Sequence, residues 1–295
     1  MDPASTTSPP GRLLSVAQPE RQPASLPRSA ADECIAPGVL PADVDGAHFE
    51  RAICRNCGAG LSTPFCGQCG QKKVVRFSSR DLRTEIWQSW RWFELDIVKA
   101  AWALATGPGR VAREYVLGAR KRHTHPLKLL LVAVGLLLLL LSENRWFAAG
   151  DANLGKAGEL LQSYGKWSFS LGIVAVLASS LLIFRRRLGY NSVEHLVLAT
   201  YCQFLILCAQ LLNMLPPLLL RSADYLQIHK QWSVLYMNLV AATIVTVAFR
   251  QFFVIDLRRE WPRLLLAIAL FVAIKVGLQR LYAWALIKAV MAQLA

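Results

Sequence analysis

Sequence motifs typical of soluble enzymes are missing from this chain. Its 295 residues contain no nucleophile elbow, Walker loop, HExxH motif, dinucleotide-binding fingerprint or spaced pair of carboxylates. These absences remove support for hydrolases, nucleotide-dependent enzymes and dehydrogenases. Catalysis would have to rely on Glu194 and His195, two adjacent residues at the predicted mouth of a membrane helix. A membrane-embedded enzyme is therefore the last of three functional hypotheses.

A secretory signal is also missing. The first residues, from Met1 to Ser5, include neither a basic region nor the start of an apolar one. We therefore expect no cleaved signal peptide and a cytoplasmic N-terminal region. Cysteines in that reducing compartment are available for binding metal rather than for disulfides.

Acidic residues are fewer than basic ones, and the imbalance varies along the chain, whose formal net charge is +14. Residues 1–71 have five Lys/Arg and seven Asp/Glu (−2), residues 72–128 have thirteen and five (+8), and the remainder has fifteen and seven (+8). A basic band directly before the first apolar run suits the anionic cytoplasmic leaflet of a lipid bilayer. Nucleic acid would also attract such a band, but it does not account for the apolar runs, so we expect no nucleic-acid partner.

Apolar residues make up 54% of the chain, with a mean hydropathy of +0.35, above the 45–50% typical of soluble domains. The excess lies almost entirely after residue 125, where residues 126–295 are predicted to form a membrane domain. Five stretches of about 20 residues each are predicted to cross the bilayer: about 126–142, 167–184, 193–215, 232–250 and 263–284. Lys/Arg-rich segments fall on one side of these spans, so the positive-inside rule predicts a cytoplasmic N-terminus and an outward-facing C-terminus.

Four of the seven cysteines form two CxxCG motifs that predict a metal site. Cys54 and Cys57 belong to the first motif and Cys66 and Cys69 to the second, with eight residues between Cys57 and Cys66. A tetrahedral zinc ion takes four such thiolates. Because residues 51–73 are too few to fold around a core of their own, the metal would supply the folding energy. Structural zinc is expected, and iron in an S₄ site is the alternative.

Two further segments flank this metal head. Residues 1–50 are rich in Pro, Ala, Ser and Arg without apolar periodicity, and are predicted to be a disordered tail. Residues 74–125 are predicted to form basic amphipathic juxtamembrane helices. The longest, 78–106, begins at a capping box of Ser78 and Asp81 and carries four of the nine tryptophans. We favour an in-plane interfacial helix; a helix packed on the cytoplasmic face of the membrane domain is the alternative.

Polar side chains within the predicted spans suggest a different function. Lys275 lies about twelve residues into the fifth span, and a charge at that depth often has a functional role, although snorkelling or an early end of the span would also explain it. The third span carries a polar stripe on one helical face, which includes His195, Gln203, Gln210 and Asn213. These groups would either bond neighbouring helices or line a polar path. A small-solute transporter or channel is thus the second hypothesis, and without an internal repeat it would need a homo-oligomer to form a pore.

The order of motifs between residues 51 and 140 resembles one bacterial family. The shared features are the two cysteine motifs, an Arg-Phe pair, an amphipathic helix and a charged segment before the first span. Their residues are Cys54, Cys57, Phe65, Cys66, Cys69, Gln71, Arg76, Phe77, Thr106, Pro108, Arg113, Tyr115, Gly118, Arg120, His125 and Pro126. The family resembled comprises uncharacterised multi-pass membrane proteins with an N-terminal zinc-ribbon knuckle, grouped as a domain of unknown function. The resemblance implies a bacterial inner-membrane protein with a bound zinc, and it implies no reaction. In such a membrane the outward-facing C-terminus predicted above would be periplasmic.

The expected fold is an all-α integral membrane protein with about five transmembrane helices, preceded by a zinc-ribbon knuckle and an amphipathic interfacial helix. Because catalytic motifs are missing and the head lies close to the leaflet, the first functional hypothesis is a membrane-anchored interaction or regulatory protein. Its zinc head would dock a cytoplasmic protein partner.

Overall fold

The structure, a computed structural model, describes residues 43–78, 97–143, 170–220 and 223–294, all of which lie in one compact unit, Ala36–Ala295. Within these residues the chain is helical and has no β-strand, apart from two isolated bridges in the cysteine segment. The all-α class expected from the sequence is confirmed, and a cluster of four cysteines precedes the apolar helices.

Eight helices occur in the described residues, and most of their length lies after residue 125. They are α1 Gly46–Glu50, α2 Ile97–Thr106, α3 Pro108–Val116, α4 Pro126–Glu143, α5 Ser170–Phe184, α6 Ser192–Leu219, α7 Ala223–Phe252 and α8 Leu257–Leu294.

Three of these helices are long and apolar enough to cross a membrane. The candidate spans are Ser192–Pro217 in α6, Gln227–Phe252 in α7 and Leu257–Ala289 in α8. Helices α4 and α5 are apolar but shorter, with 18 and 15 residues. Each of the five predicted spans coincides with one of these helices, and the number of crossings stays a prediction.

Helix α6 is the centre of the bundle. It packs against α2, α3, α4, α5 and α7, while α8 packs on α5 and α7. Inside the protein, 67% of the candidate span of α6 is buried, compared with 22% for α7 and 17% for α8. The sequence predicts that the third span stops at Pro216, whereas α6 continues to Leu219. The Leu220 amide donates to the Pro216 carbonyl at 2.9 Å, so the turn that contains the prolines stays closed.

Helix α3 is held against the end of α7. It begins at Pro108, whose fixed φ and missing N–H suit the first helical position. A Cβ at Gly109 would overlap the Ala248 carbonyl of α7, so only glycine permits this approach. The side-chain oxygen of Gln251 accepts the N–H groups of Gly109 at 3.1 Å and Arg110 at 3.2 Å. Helix α7 therefore caps the N-terminus of α3 and fixes its position on the membrane domain.

Ordered structure is present at the end of the stretch predicted to be a tail. Residues 46–50 form α1, whose N-cap Asp45 accepts the His48 amide at 2.9 Å. Phe49 is buried, and His48 Nε2 donates to the Leu117 carbonyl at 3.1 Å. Packing against the rest of the protein thus orders a segment that lacks apolar periodicity. Residues 1–42 lie outside the described residues.

Most of the predicted interfacial helix, residues 79–96, also lies outside the described residues. Its C-terminal part is α2, which packs on α3 and α6 and buries Leu104 completely. Val98 and Trp102 on the same helix are exposed, at 78% and 74%. Because an exposed tryptophan suits the headgroup layer, contact with the membrane interface stays a prediction for this helix.

Candidate metal centre

The two cysteine motifs fold as copies of one turn, twelve residues apart. In the first copy the Cys54 amide donates to the Ala59 carbonyl at 2.7 Å and the Gly58 amide to the Cys54 carbonyl at 2.9 Å. The second copy repeats both bonds twelve residues later, and isolated bridges at equivalent positions close each turn. Gly58 and Gly70 have φ of +79° and +68°. These values lie in the left-handed region, in which residues with a side chain are strained. The turn therefore requires the glycine that ends each motif.

The four thiols converge on one point. Cys54 Sγ lies 3.6 Å from Cys69 Sγ, and Cys57 Sγ lies 3.5 Å from Cys66 Sγ. All four sulfurs lie within 4.8 Å of one another. Four sulfurs held about 2.3 Å from one zinc ion would be about 3.8 Å apart, so the cluster fits a tetrahedral metal site.

Backbone amides surround the sulfurs and favour their charged form. The first cysteine of each motif accepts two N–H groups and the second accepts one. The donors are Asn56 and Cys57 to Cys54, Ala59 to Cys57, Gln68 and Cys69 to Cys66, and Gln71 to Cys69. Hydrogen bonds of this kind stabilise a thiolate, which is the form that binds metal.

The thiols differ in how readily they lose a proton, because each has its own set of neighbouring amides and thiols. The Gln71 amide, helped by the neighbouring thiols, lowers the pKa of Cys69 to about 6. At Cys57 the Ala59 amide also favours the thiolate, but desolvation and the three other cysteines outweigh it and raise the pKa to about 12. Four crowded thiols cannot all ionise by themselves, so a cation is the natural counter-charge for this cluster.

Hydrogen bonds attach the metal head to the segment between α3 and α4. The Gln71 side chain donates to the Gly118 carbonyl at 2.8 Å and accepts the Lys121 amide at 3.0 Å. The ammonium group of Lys121 donates to the Cys69 carbonyl. Gly118 has φ of +114°, and a Cβ there would lie 2.9 Å from Arg55 Cβ. The head is therefore docked on the helical body, and more than a linker joins them.

A second connection joins the head to α6. Arg76 Nε lies 3.2 Å from Glu194 Oε1, and its Nη2 lies 3.3 Å from Oε2. Glu194 is completely buried and forms a capping box with Asn191 at the start of α6. The Asn191 side chain also donates to the Phe77 carbonyl at 2.9 Å. The N-cap of the central helix and the end of the head thus share one hydrogen-bond network.

Aromatic side chains fill the space beneath this network. Phe77 stacks on Tyr115, with ring centroids 5.7 Å apart, and Tyr115 meets Tyr201 edge-on at 5.8 Å. The guanidinium carbon of Arg120 lies 3.6 Å from the centre of the Phe77 ring. The Tyr201 hydroxyl donates to the Thr124 carbonyl at 2.8 Å. These contacts bury the junction between the head, α3 and α6.

The predicted pair of Glu194 and His195 is divided between two environments. Glu194 turns towards Arg76, whereas His195 Nδ1 lies 3.0 Å from the Ser180 hydroxyl of α5. His195 and Gln203 are both buried, and Gln203 lies directly against Gly172 of α5.

The other predicted intramembrane polar residues lie further along α6 and on the outer helices. Gln210 is exposed on the surface of the chain, which differs from the inward-facing stripe expected from the sequence. Helix α6 is buried without interruption from Val197 to Leu207, whereas its residues from Cys208 to Pro216 are partly buried or exposed, so one helical face does not stay buried along its whole length. Asn213 accepts the Tyr236 hydroxyl of α7. Lys275 donates to Asn238 at 2.9 Å, joining α8 to α7.

Sequence reasoning did not assign a role to the residues that dock the head, although it identified the four cysteines. Gln71 and Arg76 are among the residues shared with the resembled family, and no other sequence feature indicates that they are important. Their partners lie 47 and 118 residues further along the chain. Spacing cannot indicate contacts over such distances.

Comparison with known proteins gives one match. No curated protein and no solved structure matches the chain. The model of one family, described as a protein of unknown function (DUF3667), matches residues 95–138. This range is shorter than the 51–140 of the sequence resemblance. It covers all of α2 and α3, the segment that docks the cysteine head and most of α4, so the chain is similar to that family over the part that supports the candidate metal centre.

Proposed function

We propose that this chain is a membrane-anchored interaction or regulatory protein, and that a structural zinc ion in its Cys₄ head holds a surface to which a cytoplasmic protein docks. One observation carries the proposal. An exposed aromatic side chain directly precedes the second cysteine motif, while contacts of Arg55 in the first motif and of Cys69 in the second hold the head against the helical body. A partner that binds the second cysteine motif would therefore be held at a defined position on the membrane domain.

Phe65 is the exposed aromatic residue, with 57% of its surface accessible. It directly precedes Cys66, and its backbone pairs with that of Lys72. The Thr63 hydroxyl donates to the Phe65 carbonyl at 2.6 Å, which stiffens the approach to the motif. The equivalent residue in the first motif, Ile53, is partly buried. Large aromatic side chains on rigid supports are the usual energetic centres of protein interfaces.

Zinc is the metal that suits this function best. The four sulfurs and their amide donors leave no coordination position for a substrate, which is typical of a structural site. Zinc has no redox chemistry and would hold the head in a single state. Iron in the same S₄ geometry is the alternative that metal analysis of the purified protein distinguishes.

The arrangement of basic segments supports a cytoplasmic location for the head. Arg187, after α5, pairs with Glu260 of α8 at 2.7 Å, which brings the basic segment after α5 next to the basic start of α8. The head meets the same end of the bundle, because Arg76 donates to the Gly189 carbonyl. By the positive-inside rule this end faces the cytoplasm. We therefore propose a cytoplasmic head at 51–73, juxtamembrane helices at 74–125 and a membrane domain at 126–295. The family resemblance adds the proposal that the membrane is a bacterial inner membrane.

The test places a photo-crosslinking amino acid at Gln68, on the exposed second motif, in the full chain in its native membrane. Proteins crosslinked to it are compared with those recovered when Phe65→Ala is also present. Leu257→Ala is the matched control, because Leu257 is another exposed apolar residue at the same predicted side. Metal content and membrane insertion are measured for each variant.

We expect Phe65→Ala to lower recovery of a crosslinked protein about tenfold, as loss of one interface aromatic does, with metal content unchanged. The control should leave recovery unchanged. Equal crosslinking with Phe65→Ala and with the unchanged head would overturn the proposal.

A further inference from the structure

A cavity of about 660 Å³ lies between α2, the segment that follows α3, and the start of α4, with Tyr201 of α6 on its wall. Its size is in the range of small-molecule sites. Apolar side chains form part of the wall, including Leu104, Val111 and Leu129. The cavity is separate from the metal cluster but adjoins the head, because Lys121 lines it and donates to the Cys69 carbonyl.

The polar part of the wall is basic. Four Lys/Arg side chains and no Asp/Glu are among the described residues that line the cavity: Lys99, Lys121, Arg122 and Lys128. Among the described residues, the carboxylate of Glu114 lies alongside, 2.8 Å from His123 Nε2 and 3.7 Å from an Arg122 nitrogen. The hydrogen bond from His123 lowers the pKa of Glu114, so this side chain is charged at neutral pH. Basic side chains thus outnumber acidic ones among the described residues at the cavity, and a concave basic surface concentrates anions.

A buried donor on the wall also points to an anionic ligand. His125 lines the cavity and is 93% buried, since 7% of its surface is accessible. Its Nδ1 accepts the Leu127 amide at 3.3 Å, so the ring proton resides on Nε2. In the part of the chain that the structure describes, this Nε2 is buried and has no hydrogen-bond partner. Buried donors are normally satisfied, and one that is not calls for an acceptor from outside the chain.

We infer that this cavity binds a phosphate-bearing anion, with Arg122 and Lys128 supplying charge and His125 donating a hydrogen bond to a phosphate oxygen. The same chemistry is offered by the headgroup of an anionic phospholipid and by a soluble phosphate. The exposed apolar residues Val98 and Trp102 on α2 and Leu131 on α4 adjoin the basic wall in sequence and would lie along an acyl chain.

The test uses the full chain, purified in detergent with its metal, and native mass spectrometry. Phosphatidylglycerol is titrated in one arm, phosphatidylcholine in a second and inorganic phosphate in a third. The double variant Arg122→Gln with Lys128→Gln removes two charges from the cavity. Arg258→Gln with Arg259→Gln removes two charges from the exposed first turn of α8 and is the control. Ala103→Leu, which adds volume to the cavity wall without changing charge, is a second variant in case the first does not fold.

Two lost charge-assisted bonds should weaken binding about tenfold or more in the cavity variant, and Ala103→Leu should weaken it too, while the control binds as the unchanged protein does. Preference for phosphatidylglycerol over phosphatidylcholine identifies a lipid headgroup as the ligand. Phosphate binding that the cavity variants lose, without a preference between the lipids, identifies a soluble phosphate ligand. Equal binding of every anion by the unchanged chain and both cavity variants would refute the site.

Discussion

Replacing Gly109 by alanine tests the contact that holds α3 on the membrane domain. A Cβ at this position would overlap the Ala248 carbonyl oxygen and lie 2.7 Å from both Gln251 Cβ and the Phe252 amide nitrogen. Ordinary contacts between carbon atoms lie at about 3.5–4.0 Å. Two of these three neighbours of the new methyl group are backbone atoms and the third is a Cβ, so none of them can rotate away. Helices α3 and α7 must therefore separate by roughly an ångström.

The expected loss of stability is the sum of two destabilising effects and one stabilising effect. Overpacking of this kind costs about 1–3 kcal/mol. Separation also breaks the two hydrogen bonds that Gln251 accepts from the N-terminus of α3, each worth about 1 kcal/mol. Alanine restores up to about 1 kcal/mol of helix propensity. The net loss is about 2–4 kcal/mol, which corresponds to a fall in Tm of about 4–8 °C for a chain of this size.

Thermal melting of the purified protein in one detergent, followed by circular dichroism at a fixed scan rate, measures this effect. Gly135→Ala is the matched control, because Gly135 lies within α4 and a Cβ there meets nothing within 4 Å. Its Tm should stay the same or rise slightly. If Gly109→Ala melts at the same temperature as the control variant, α3 does not pack on α7 as described.

Three further perturbations test other parts of the structure. Cys66→Ser should remove most of the bound metal, measured by elemental analysis of the purified protein; full retention would exclude a Cys₄ site. Arg76→Met with Glu194→Gln in a double-mutant cycle should give a coupling energy of about 1–2 kcal/mol, because Glu194 is buried and Arg76 only partly so; additive effects would contradict the pairing. Burial lowers the pKa of His125 to about 4, below its unfolded value of about 6.5. The unfolded chain therefore binds more protons between these values, and stability should fall by up to about 3 kcal/mol as pH drops from 6.5 to 4. His125→Gln should reduce that slope, and an unchanged pH dependence of Tm would argue against a buried neutral imidazole.

Local patterns in the sequence determined the helical class, the positions of the apolar helices and the four cysteines that could hold a metal ion. The length of an apolar run predicts a membrane helix because the bilayer thickness sets that length. The two CxxCG motifs predict a metal site because the spacing of ligands within a turn is a local property of the sequence. Each of these signals comes from residues only a few positions apart.

Tertiary structure alone decided how these parts meet. The bonds of Gln71 to Gly118 and of Arg76 to Glu194 join residues 47 and 118 positions apart. The basic cavity likewise draws its wall from residues between Lys99 and Tyr201. The exposure of Gln210, on a helix face predicted to be buried, depends on which part of α6 the neighbouring helices cover. Such contacts depend on which surfaces pack together in three dimensions, and neither periodicity nor spacing within a segment carries that information.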